Sequence, residues 1–63
     1  MDSSIASKLI SALKDDDAAV RKNVALTLGN HKESSAVDAL SELLEDNDLS
    51  VASTAAWALG NIA

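Results

Sequence analysis

Apolar residues recur along this chain at the three- and four-residue steps of a helix, and the pattern runs twice. Ala36, Val37, Leu40, Leu43 and Leu44 fall on one side, while Asp38, Glu42 and Glu45 fall on the other. That spacing predicts an amphipathic helix. Ile5, Leu9, Ala12 and Leu13 predict an equivalent helix earlier in the chain. Each pattern is broken by an acidic stretch, "KDDD" or "EDND", and then resumes. The resumed segments predict helices over roughly Ala18–Leu28 and Leu49–Leu59. Asp17 and Asp48 stand at their starts, where a carboxylate accepts from free backbone N–H groups and suits the positive helix end. Gly29 and Gly60 follow their last apolar residues. Both fit the position just past a helix, where glycine takes a left-handed backbone without steric cost. No segment sustains strand alternation, and there is no proline.

The two halves are copies. "LKDDDAAVRKNVALTLGN", from Leu13, aligns without a gap on "LEDNDLSVASTAAWALGN", from Leu44, at an offset of 31 residues. Val20/Val51, Ala25/Ala56, Leu28/Leu59, Gly29/Gly60 and Asn30/Asn61 are among the identities. The expected fold is therefore all-α, with two helical hairpins (four helices) of an α-solenoid. It forms one domain, with a first repeat over 1–30 and a second over 31–63.

Composition narrows the possibilities. A 63-residue chain has a small core, and such domains usually need a disulfide, a metal or association for added stability. There is no cysteine and one histidine, which removes disulfides, thiolate metal sites and any structural zinc site of His ligands. Association with another chain, or membership in a longer array, is the remaining option. A net charge of −5, with five scattered cations, opposes nucleic acid and anionic membranes as partners. No apolar run is long enough to span a bilayer. The opening "MDSSIASKLI" has neither the basic nor the apolar region of a secretory signal. A soluble, cytoplasmic protein is expected.

"LEDNDLSVASTAAWALGNIA" resembles a HEAT-like repeat of the phycobilin-lyase type, and "AVDALSELLEDND" resembles the helix that opens one. The likeness lies in the acidic turn, a valine three residues on, and alanine-rich sequence closing in Ala-Leu-Gly. The first copy departs slightly, with "TLG" for "ALG". The resemblance implies a binding scaffold made of stacked repeats. Some members are linked to phycobilin attachment, and some are iron-dependent hydroxylases with a His-Glu pair seven and six residues before the glycine. Lys22-Asn23 and Ser53-Thr54 occupy those positions here, and neither holds iron as His-Glu does. The resemblance thus argues against an enzyme, and no cofactor is expected. It also implies an Asp–Arg ladder between repeats. Arg21 fits the arginine position, with Asp46 or Asp48 as partner, but the second copy has Ala52. Only one rung is expected, an exposed pair of small net worth.

Few residues suggest chemistry. His31 has no second His or Cys to complete a site and reads as a solvated turn residue. The aspartates at Asp15–Asp17 lack the glycine and closing glutamate of a calcium loop and read as turn and cap. No His–acid pair activates any of the serines or threonines. Trp57, the only aromatic residue, aligns with Leu26. On a helical wheel both lie well away from the side turned toward the partner helix, on the concave side or toward the next repeat. Tryptophan is favoured as a binding anchor. A stacked repeat buries only part of its apolar surface within itself. Ile5 and Ile10 at one end, and Trp57, Leu59 and Ile62 at the other, are therefore the expected contacts with another chain. The expected function is a non-catalytic structural or protein-interaction module. It would associate with itself, as a homodimer or larger assembly, or with another protein. The alternative is part of a longer solenoid with a concave ligand-, chromophore- or protein-binding face around Leu26, Trp57, Asn23 and Thr54.

Overall fold

The computed structural model describes residues 1–63. It is entirely helical. Helix α1 spans Ser3–Ala12 and α2 spans Ala18–Asn30. A single 3-10 turn over Ser34–Ala36 leads directly into α3, Val37–Leu43, and α4 spans Leu49–Ile62. The two hairpins, α1–α2 and α3–α4, stack side by side. The most extensive packing is between α2 and α4, which form the inner layer. Helix α1 packs on α2, and α3 packs on α4.

Aspartates set the helix starts. Asp2 accepts from the Ser4 N–H at 2.7 Å, Asp17 from the Ala19 N–H at 2.8 Å and Asp48 from the Val51 N–H at 3.1 Å. The turn before each inner helix is built the same way twice. Asp15 Oδ1 accepts from the Asp17 N–H at 2.9 Å, and Asp46 Oδ1 accepts from the Asp48 N–H at 2.8 Å. The acidic runs are thus turns that hold their own caps in place.

The glycines depart from expectation. Helices α2 and α4 continue past them, to Asn30 and Ile62, and no glycine has positive φ. The left-handed position after α2 falls at Lys32, with φ 51°. The Lys32 N–H donates to the Gly29 carbonyl at 3.1 Å, and the Glu33 N–H donates to the Leu28 carbonyl at 3.0 Å. That pairing is the Schellman end of a helix, reached three residues after Gly29. His31 lies exposed just before it, with its N–H on the Thr27 carbonyl.

The core is one cluster of ten residues: Leu13, Val24, Ala25, Leu28, Ala36, Leu40, Leu43, Val51, Ala55 and Ala58. Leu28, Leu40 and Val51 are its largest fully enclosed side chains. On the expected inward sides of the inner helices, Val24, Leu28, Val51, Ala55 and Ala58 are buried, while Val20, Thr27 and Leu59 are only partly so.

Asp48 caps α4, whereas Asn47 beside it makes no such bond. Asp48→Ala is expected to cost about 0.5–2 kcal/mol in urea unfolding. Asn47→Ala should cost clearly less.

Candidate interaction surface

The seam between the repeats shows what an inner helix requires of its neighbour. A Cβ added at Gly29 would lie 2.7 Å from Trp57 Cζ3, 2.8 Å from Ala58 Cβ and 2.9 Å from Ala58 Cα. No real Cβ tolerates such contacts, so only glycine lets α4 approach this closely. The role of Gly29 is close packing in the last full turn of α2, not reversal of the chain after it. Asn61 completes the contact by donating from Nδ2 to the Gly29 carbonyl at 2.7 Å. Trp57 therefore lies in the seam within the chain, with 45 % of its surface still exposed. A helix one repeat earlier takes the edge of the ring, and the rest of the ring stays open at the surface.

The turn side of the seam is closed by Arg21. Its Nε donates to Asp46 Oδ2 at 2.7 Å and Nη2 donates to Asp46 Oδ1 at 3.1 Å. Nη1 donates to the carbonyls of Asp15 and Asp16, at 2.7 and 3.0 Å. One guanidinium thus joins the first acidic turn to the second. The pair is more enclosed than expected, with side chains only 14 % and 8 % exposed. The Arg21 hydrogen bonds, helped by the Asp48 N–H, hold the Asp46 carboxyl below its ordinary value of 3.8 against the opposing effect of burial. The Asp46 hydrogen bond likewise raises the Arg21 guanidinium. Glu33, at the other turn, is held low by the Ser35 hydroxyl.

Equivalent positions of the two repeats reveal which surfaces the seam covers and which it leaves open. Leu13 is 2 % exposed, but its equivalent Leu44 is 43 % exposed. Ala6, Ala25 and Gly29 are buried, while Val37, Ala56 and Gly60 are exposed. These residues of the second repeat form an apolar end face, and a Cβ at Gly60 would meet nothing within 4 Å. The opposite end mirrors this. Ala36 is fully buried, but its equivalent Ile5 is 54 % exposed. Leu40, Val51 and Ala58 are buried, while Leu9, Val20 and Thr27 are only partly so.

The expected contact residues divide accordingly. Ile5 lies on the first end face. Leu59 and Ile62 are half-buried against the core near the second. Leu26, half-buried, holds on the first repeat the place of Trp57 on the second. Ile10 is also half-buried. It lines, with Leu13 and Leu43, a groove of about 580 Å³ between α1 and α3, rimmed by Asp38, Glu42 and Glu45. The expected concave set differs in exposure. Asn23 is exposed, but Thr54 is buried with its hydroxyl donating to the Ser50 carbonyl at 2.8 Å. The end face around Gly60 was not legible in the sequence as a socket. The signal lay in the paired Leu-Gly-Asn triplets, one of which has a helix packed on it. No three His, Cys, Asp or Glu side chains gather into a metal-binding group. No helix is long and apolar enough to cross a membrane.

Two stacked α-hairpins related by a fixed sequence step, closed by small residues between inner helices, define a helical-repeat protein. The model of the HEAT repeats family matches residues 6–63. The chain therefore belongs to the HEAT-repeat family, and its hairpins make an α-solenoid segment. No curated protein and no solved structure matches it.

The two glycines should respond oppositely to the same change. Gly29→Ala is expected to destabilise by about 1–3 kcal/mol, because the seam must open. Gly60→Ala should be neutral or stabilising by up to about 1 kcal/mol, because alanine is the better helix former and the space is open. Thermal and urea unfolding of both variants checks the contrast.

The Arg21–Asp46 pair should also shape acid unfolding. A carboxyl held low in the folded state stabilises fully above its unfolded value, and that contribution is lost as pH falls through the lower folded value. Wild type should exceed Arg21→Met in stability near neutral pH, and the gap should shrink as pH drops below about 4. A gap constant with pH would mean that Arg21 contributes packing alone.

Proposed function

We propose that this chain is a non-catalytic protein-interaction module that associates with a second copy of itself through its apolar end faces. HEAT repeats in general mediate protein interactions, and the contrast between Leu13 and Leu44 supports the finer reading. One position of the repeat is sealed when a neighbour is present and open when none is. Val37, Leu44, Ala56 and the bare backbone at Gly60 adjoin on one end, and Ile5 and Leu9 lie on the other. Burying such surface contributes about 25 cal/mol per Å². The non-catalytic reading is supported by the absence of a His-Glu pair at Lys22-Asn23 and Ser53-Thr54. The phycobilin-lyase type remains a resemblance carried by the acidic turns and the Ala-Leu-Gly ending.

A second reading rests on the exposed part of the Trp57 ring, which offers a flat apolar contact on the inner layer to a ligand or to another protein. It requires no association between copies.

Light scattering over a concentration series tests the first reading. Average mass should rise with concentration, and the melting temperature should rise with it. Leu44→Glu should lower the mass while leaving the helical circular dichroism spectrum unchanged, because Leu44 is already outside the core. A monomer at every concentration would sink the reading and favour the Trp57 surface.

A further inference from the structure

We infer that two copies meet head to tail, with the α1–α2 hairpin of one molecule stacked on the α3–α4 hairpin of another. This rests on the self-association proposed above and specifies its geometry. The template is the seam inside the chain. The second repeat stands to the first as an incoming first repeat would stand to the second. Carrying the seam forward by one repeat puts Leu26 of the incoming copy over Gly60, where Trp57 covers Gly29. It brings the exposed Asn30 amide to the Gly60 carbonyl, as Asn61 meets that of Gly29. Leu9 takes the place of Leu40, and Ile5 that of Ala36, toward the open Val37 and Leu44.

A symmetric pairing uses these features less well. Placing the second end face against itself would leave the Leu26 and Asn30 side uncovered. A head-to-tail contact uses both unlike ends and repeats a packing that the molecule already contains. Such a contact is heterologous, so it leaves a free end on each molecule and continues beyond two copies.

Three departures make the contact between copies weaker than the internal seam. Thr27 stands where Ala58 packs most tightly, Ile5 replaces the fully enclosed Ala36, and Ala52 stands where Arg21 closes the turn. The last is the most informative. Asp15 is exposed and holds the Asp17 N–H just as Asp46 holds that of Asp48, but no guanidinium reaches its carboxylate. Arg21 is oriented by the carbonyls of its own acidic turn, and an arginine at position 52 would find the equivalent carbonyls of Asp46 and Asn47. It would then project toward Asp15 of the incoming copy. The chain thus has every part of a second rung except its arginine, so association stays loose and reversible.

The test is a gain of function in the full chain. Sedimentation of wild type should show average mass passing two protomers without a plateau. Ala52→Arg should tighten association by up to about fivefold. Adding Asp15→Asn to that variant should cancel the gain, because the amide oxygen keeps the Asp17 N–H but carries no charge. Gly60→Leu should abolish the growth while leaving the monomer folded, since nothing in the molecule occupies that space. A mass that levels at two protomers, with Ala52→Arg having no effect, would overturn the head-to-tail geometry and leave self-association standing. Monomers in both wild type and Ala52→Arg would overturn both.

Discussion

The close approach of α2 and α4 is the constraint on which the rest of this structure depends. Both hairpins hang from it, since α1 contacts mainly α2 and α3 mainly α4. The approach is possible because the contact is made of small residues: Gly29, Ala25, Ala55 and Ala58 are all buried. Short side chains bring two backbones together, and a backbone carbonyl then comes within reach of an amide from the other helix. The Asn61 bond to Gly29 exists for that reason. The same closeness gives Trp57 a flat surface to lie on, and it prevents Gly29 from serving as a helix stop.

A core of this size gains little from large side chains, since only Leu28, Leu40 and Val51 are both sizeable and fully enclosed. Polar contacts fix what apolar burial leaves loosely specified. Arg21 reaches across the turn side of the seam, and Asn61 ties the far end of the inner helices. The two contacts sit near opposite ends of α2. Together they set how far the second hairpin slides along the first and how far it turns. An alanine-rich interface alone would permit several such registers, because its surface is smooth. The acidic turn also does two things at once: Asp46 holds the Asp48 N–H that places the cap, and it receives Arg21. Helix start and repeat spacing are therefore set by one residue.

How much of this was legible in the sequence follows from which features are local. Asp17 and Asp48 precede helices that begin where the pattern placed them, because a cap bonds backbone within its own turn. The duplication and the all-α class were readable from spacing, whereas the Arg21 rung came from the family resemblance, which left Asp46 and Asp48 both open as its partner. Gly29 was misread because glycine after an apolar helix face has two physical uses. Local propensity favours the chain reversal, and only the packed neighbour reveals the other. The true reversal falls on Lys32, a residue with no preference for left-handed backbone, so the signal was absent there. A helical wheel points Trp57 away from its partner helix but does not say which neighbour it meets, and the ring edge lies against Gly29 of the preceding repeat. Thr54 looked available for the inner surface, but it is buried with its hydroxyl bonded one turn back.

Gly29 and Gly60 share a sequence context and a helical backbone, but they differ in what stands over them. One is filled by the repeat that follows it; the other has nothing within contact distance. A repeat protein of this kind encodes its neighbour's shape in each unit, so an open position describes the partner that would fit it: an apolar side chain over the glycine, an amide for its carbonyl, and an acidic turn. The first repeat supplies all three as Leu26, Asn30 and Asp15, and the second repeat lacks the arginine that would fasten the last of them. The seam within the chain thus joins two contributions, a shape that the duplication passes to both repeats and a polar clasp, Arg21 on Asp46, that the second repeat loses at Ala52.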